Sequence, residues 1–393
     1  MPPTRISDAA GAIDARNQLA SRAASFSVAH RGGLAGASRL VRSTVFASVA
    51  WLPLVALVLA QRTPTSFASF ARDYSVHVRA LAAIPWLIFA ERVVDRRCSR
   101  ALLRFVDAGL LRSADYPSFA RSLDRAERLR DSRVSAIGLF VLALAGSVYA
   151  AHRSALGGLP AWCLRIGGEP HFTFAGWWYL AVSVPVSQFL LFVWLWRWII
   201  WTGLLWQISR LEIRLLGTHA DRAGGIGFLG QTASAFALVM TAPGLLISTT
   251  WVHRMRVEHA TIQQLFRPMF GFVAVVSALG IAPLVAFASR LRRTQVEDDD
   301  RYGALVQAYN RMFDRRWVGP SAPRDDATLA TLDAQTLADL GNSYDVIAKM
   351  RFLPLDLRAL VDLVAATALP LLPPLLTATS PTDIARKLIE SLL

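Results

Sequence analysis

FAGWWYLAVSVPVSQFLLFVWLW, residues 174–196, holds no charged side chain and carries tryptophan at both ends. A helix crosses about 30 Å of hydrocarbon in roughly 20 apolar residues. Trp178 and Trp196 are eighteen residues apart, about 27 Å along a helix at 1.5 Å per residue. Indole is an apolar body with one N–H to satisfy, so it favours the headgroup level. The stretch predicts a transmembrane helix whose interface anchors are Trp177 and Trp178 at one end and Trp194, Trp196 and Trp198 at the other.

Six further stretches resemble it in length and apolarity: Ser43–Ala60, Tyr74–Val94, Val134–Ala151, Ile226–Val252, Met269–Ser289 and Ala359–Thr379. The fold class expected is all-α, a polytopic membrane bundle of six or seven transmembrane helices with a small helical cytoplasmic layer. Tyr74–Val94 is the weakest candidate, since His77 and Arg79 lie inside one end and Glu91 and Arg92 near the other. Arg79 and Glu91 are about 18 Å apart along a helix, so each can reach its own interface. Ala359–Thr379 contains Pro370, Pro373 and Pro374, which allow a kinked crossing or a re-entrant turn.

Composition agrees. The 393-residue chain is 54% hydrophobic with mean hydropathy +0.38, above the roughly 45–50% apolar content of soluble domains. Its net charge of +14 comes almost wholly from arginine. These arginines flank the apolar runs and form no single basic face, as expected for a partner that is the lipid bilayer and not nucleic acid. Arginine is in excess on the side that carries the N-terminus, which predicts a cytoplasmic N-terminus and, with the composition, a bacterial inner membrane. Residues 1–42 lack the apolar core of a secretory leader, so the first apolar run is expected to be the first anchor.

The segments then read as follows. Residues 1–42 form a polar cytoplasmic segment, 43–94 helices one and two, and 95–133 a cytoplasmic pair of short helices broken at Pro117. Residues 134–196 form helices three and four. In 197–225 the helical pattern continues to Leu216 along the interface and ends in a polar loop. Residues 226–289 form helices five and six, 290–358 a second cytoplasmic helical segment, and 359–393 the last membrane segment and C-terminus. Cys98 is expected on the cytoplasmic side and Cys163 on the other, so that they cannot pair. Small residues four apart, as in Ala143/Ser147/Ala151 and Ala278/Ala282/Ala286, permit close helix approach within the bundle or in a homo-oligomer.

Five polar residues stand out as candidates for a pathway or binding site: Asp362, Glu91, His219, Asp221 and Arg222. A carboxylate within an apolar span is costly unless paired or wet, which singles out Asp362 and Glu91. Asp362 has a plainer reading as an interfacial partner of Arg358, one turn earlier. The loop Gly217-Thr-His-Ala-Asp-Arg-Ala-Gly-Gly225 admits two readings. In one, Asp221 caps the next helix and the glycines allow tight turns. In the other, His219, Asp221 and Arg222 hold an anion or relay a proton. Capping is the commoner use of such residues. His152, His171, His253 and His259 match no standard metal spacing, so no metal and no cofactor is expected. The sequence carries no nucleophile elbow, His-Glu-x-x-His, phosphate loop or dinucleotide fingerprint.

The stretch His219-x-Asp-Arg-Ala-Gly-Gly-x-Gly-Phe-Leu229 resembles a signature of uncharacterised bacterial multi-pass inner-membrane proteins. Ser75-Val-His-Val-Arg79 to Glu91-Arg-Val-Val-Asp95 and Asn342-Ser-Tyr to Met350-Arg351 are similar to stretches of the same family. The likeness extends over most of the chain from about residue 40. This chain has Ala220 where such loops often have proline, a departure that bears on the stiffness of the loop. The resemblance implies a topology and no activity. Two functional expectations follow from the residues: translocation of an ion or solute, or a non-enzymatic scaffold or sensor that presents its cytoplasmic layer to a membrane partner protein.

Overall fold

The computed structural model describes residues 4–27, 38–155, 160, 162–165, 171–318 and 332–378. Among them the chain is almost entirely helical: α1 (Thr4–Ser25), α2 (Arg39–Ala60), α3 (Pro64–Ala71), α4 (Tyr74–His77), α5 (Ile84–Asp107), α6 (Tyr116–Arg130), α7 (Arg133–Ala155), α8 (Phe174–Trp178), α9 (Val184–Ser209), α10 (Gly230–Val257), α11 (Ile262–Ile281), α12 (Ala288–Phe313), α13 (Leu332–Ala348), α14 (Leu357–Ala368) and α15 (Leu372–Ala378). Two two-residue strands, Leu164–Arg165 and His171–Phe172, pair antiparallel before α8. Six helical stretches are long and apolar enough to cross a membrane: Arg39–Ala60, Arg133–His152, Phe174–Ser209, Gly227–Val257, Ile262–Val318 and Leu357–Leu376. The protein is a multi-pass membrane helix bundle.

The weakest sequence candidate is packed inside the bundle. α4 passes through a π turn (Val78–Ala83) into α5, and the resulting rod lies between α2 and α10 along its length. Its charges keep it out of the six, yet it makes the return between the far end of α2 and the start of α7. An equivalent π turn, Tyr179–Ser183, joins α8 to α9. Each π turn stands just before a proline, Pro85 or Pro185. A proline ring presses on the carbonyl four residues earlier, here Leu81 and Ala181, and the wider turn relieves that contact.

The last apolar segment runs as one continuous helical rod alongside α10. A 3₁₀ turn at Leu369–Leu371 absorbs Pro370. Ser234 and Thr241 of α10 donate to the carbonyls of Ala359 and Ala366, fixing a parallel register. Gly244 makes the approach possible, because a Cβ there would lie 2.6 Å from Pro370 Cγ.

Three boundaries differ from the sequence reading. α5 does not stop at Val94 but continues as one helix to Asp107, its buried stripe running on through Cys98, Leu102 and Phe105. Pro117 breaks nothing; it occupies the first turn of α6, where its missing N–H costs no hydrogen bond. α9 ends at Ser209, short of Leu216, and the chain turns into an irregular stretch in which Ile213 bridges Leu111.

The face of the bundle that carries α1 and α6 has one large apolar core. It unites Leu19 and Ala23 of α1, Leu102 and Phe105 of α5, Phe119 of α6, Trp201 and Leu205 of α9, Ile226, and Leu291 of α12. The opposite face is packed as smaller clusters. The tightest surrounds Trp162, whose indole is fully buried against Phe70 and Tyr179 and donates to Asp73 Oδ2 at 3.2 Å.

Candidate functional site

Glu91 lies on the buried stripe of α5 between Ile88 and Val94 and is 4% exposed. Two guanidinium groups from other helices close on it. Arg42, at the start of α2, donates from Nη1 to Oε2 at 2.9 Å and from Nη2 to Oε1 at 3.1 Å. Arg197 of α9 donates from Nη1 to Oε1 at 2.9 Å. The Arg197 guanidinium also lies 4.7 Å from the centroid of Trp194, a cation–π contact that helps hold a mostly desolvated charge. Three helices distant in sequence are thereby joined at one carboxylate, and the cluster retains one positive charge in excess.

Beside it, Arg130 at the end of α6 is held by both oxygens of Asp131 and donates to the carbonyl of Ser27. A cavity of about 270 Å³ runs from these groups along Phe46, Leu139, Phe189 and Val193. A larger cavity of about 850 Å³ lies at the opposite face near Thr63, Phe172 and Trp177, and among the described residues no acidic or arginine side chain lines it.

The loop before α10 is a backbone knot. Asp221 Oδ1 accepts from the N–H groups of Ala223 (2.9 Å) and Gly225 (3.1 Å), and Oδ2 from that of Gly227 (2.8 Å). His219 Nδ1 lies 2.8 Å from Oδ1. Partial burial raises the Asp221 pKa, but the three backbone donors and His219 outweigh it and hold the carboxyl below its ordinary value. Arg222 and Gly225 adopt positive φ, +52° and +92°, to bring those N–H groups to one point. The knot is tied at both sides: the Arg351 backbone N–H donates to the Arg222 carbonyl at 2.7 Å, its guanidinium donates to the Asp221 carbonyl, and Asp298 of α12 accepts from Gly217 N at 2.8 Å.

The sequence candidates therefore fall in three places. Glu91 is interior and fully engaged. His219 and Asp221 come together, while the Arg222 side chain is exposed and joins them only through its backbone. Asp362 is exposed on the outer side of α14, next to the buried Leu363, and pairs with neither Arg358 nor any other charged group among the described residues.

The tryptophans also divide. Trp177 is 59% exposed, as an interface anchor should be. Trp194 is corrected from anchor to core: it is 3% exposed and its indole donates to the Leu87 carbonyl at 3.0 Å. Trp178, Trp196 and Trp198 are half-buried and donate to the carbonyls of Val49, Leu129 and Leu279, so these indoles tie neighbouring elements together.

In the sequence Arg42 and Arg130 look like ordinary flanking cations, and nothing local marks Arg197 as a partner of Glu91. Both cysteines are free and fully buried, and burial followed by the nearby Asp73 pushes the Cys163 thiol up to about 12. Among the described residues no three histidine, cysteine or acidic side chains gather as a metal site would require. No family model, no curated protein and no solved structure matches this chain.

Proposed function

We propose that the protein is a non-enzymatic scaffold of a bacterial inner membrane, with its N-terminal face in the cytoplasm and presented to a partner protein. The observation that carries this reading is the projecting pair α12 and α13. α12 continues the membrane helix α11 for 26 residues, about 39 Å, and projects from the bundle beyond Asp298, its last contact with the loop before α10. It buries only Leu291, while Val296, Leu305 and Met312 remain exposed. Apolar side chains on a charged helix outside the bilayer suit a protein partner.

The polar candidates support the same reading. A pathway residue must be free to exchange partners with a passing ion or solute. Glu91 is taken by two arginines, Asp221 by three backbone donors, and Asp362 lies on the outer side of its helix.

Purified protein in proteoliposomes tests the proposal. The expected result is no flux above empty vesicles across a panel of monovalent ions, divalent ions, protons and small anions. Flux abolished by a variant of the protein would return the reading to translocation. Orientation is tested separately after both buried cysteines are replaced by serine. With an impermeant maleimide on spheroplasts, Thr65→Cys should label and Ala220→Cys should be protected. The reverse pattern would invert the assignment.

A further inference from the structure

The crevice beside Glu91 combines two chemistries. Its base holds Arg42, Arg197 and Glu91, and its walls are the side chains of Phe46, Leu139 and Phe189. Arg197 uses one N–H on Glu91, and its Nε and Nη2 have no protein acceptor among the described residues. The neighbouring Arg130 is balanced by Asp131, so the excess positive charge belongs to the Arg42–Glu91–Arg197 group.

The position of the crevice says what can reach it. α2 and α7 bracket it without packing on each other. The side chains beside its mouth, Val45 of α2 and Phe140 of α7, are exposed and apolar, so the mouth opens sideways to hydrocarbon. α2 starts at Arg39 and α7 at Arg133, which puts the charged base at headgroup level and the apolar walls along the acyl chains.

We propose that this crevice binds an anionic phospholipid from the surrounding leaflet, its phosphate against Arg197 and Arg42 and one acyl chain along Phe46, Leu139 and Phe189. Basic pockets between membrane helices select anionic headgroups through charge. A zwitterionic headgroup brings a cation, and of the two carboxylates beside the crevice Glu91 is shared by two guanidinium groups and Asp131 is held by Arg130.

Delipidated protein in a neutral detergent is titrated with phosphatidylglycerol or phosphatidylcholine in mixed micelles, and retained lipid is counted by native mass spectrometry. Wild type should favour phosphatidylglycerol about fivefold, as one unbalanced arginine charge predicts. Arg197→Gln should abolish the preference. Because that substitution also disturbs Glu91, Ala136→Trp is the second arm. Ala136 lines the crevice and is exposed, so the indole fills the mouth without touching the ion pairs, and it should remove bound lipid while melting stays near wild type. Equal retention of the two lipids overturns the proposal, as does a folded Ala136→Trp variant that keeps the preference. Inorganic phosphate should not compete; if it displaced phosphatidylglycerol at comparable concentration, the site would be one for a free anion and the lipid assignment would fail.

Discussion

The two faces of the bundle are built on different physics. At the N-terminal face the helices outrun the bilayer, and the apolar core shared by α1, α5, α6 and α9 is shielded from water. Each fully buried leucine or phenylalanine there gains about 1.5–3 kcal/mol over exposure. Within the hydrocarbon that driving force disappears, because lipid is as apolar as leucine, and close packing and hydrogen bonds take over. The opposite face accordingly holds separate clusters pinned by polar contacts, such as Trp162 on Asp73 and Trp51 on His77 at 3.1 Å. One face is a single unit; the other is a set of local ones.

The most severe way to break the contrast is through Glu91. Glu91→Ala leaves Arg42 and Arg197 facing each other without a counter-charge, and removing one partner of a buried ionic group costs about 3–5 kcal/mol. Thermal unfolding in detergent should show a large loss through one cooperative transition that includes α1 and α6. A loss confined to α2 would mean that the N-terminal face is not a single unit.

Trp162→Ala should cost about 3 kcal/mol, the low end for tryptophan truncation, because a small cluster collapses more easily than a large core. The effect should stay local. A maleimide should modify Cys163 at least about tenfold faster than in wild type, while Cys98, in the other core, stays unreactive. Equal acceleration at both cysteines would show that the faces are coupled.

Acid titration sharpens the comparison further. Asp221 has a lowered folded pKa, so its contribution is present above the ordinary carboxylate pKa of about 3.9 and is lost as pH falls through the folded value. As pH falls below about 4, wild type should lose melting temperature more steeply than Asp221→Asn. Parallel acid limbs would show that the loop contributes nothing through this charge.

The smallest effect is expected at Asp362. Asp362→Asn alters an exposed group with no charged partner among the described residues and should shift stability by no more than about 0.5 kcal/mol. A loss comparable to that of Glu91→Ala would place it in a contact absent among the described residues.

Membrane crossings were legible because long apolar runs have few other uses. Which carboxylate faced inward was also partly written in the sequence. Leu87, Glu91, Val94, Cys98, Leu102 and Phe105 recur at helical spacing, so Glu91 belongs to a buried stripe that the arginines around it obscure. No such signal exists for Asp362. In a membrane helix the lipid-facing side is as apolar as the packed side, and Val361 and Val364, both exposed, look no different from the buried Leu363. The partners of Glu91 were not legible at all, since pairings across 49 and 106 positions leave no local pattern. The donors to Asp221 lie within six residues of it, so its contacts were open to a local reading, although the carboxylate gathers loop N–H groups instead of capping α10.

The shared carboxylate also sets a timetable. Arg42 leaves the ribosome before Glu91, whereas Arg197 follows 106 residues later, a lag of roughly 5–20 s at about 5–20 residues per second. During that interval Glu91 is a half-neutralised carboxylate beside a single arginine, and the nascent α2 and α5 depend on each other to remain in the bilayer. Arrival of α9 closes the triad, so this junction is locked only when about half of the chain has been made.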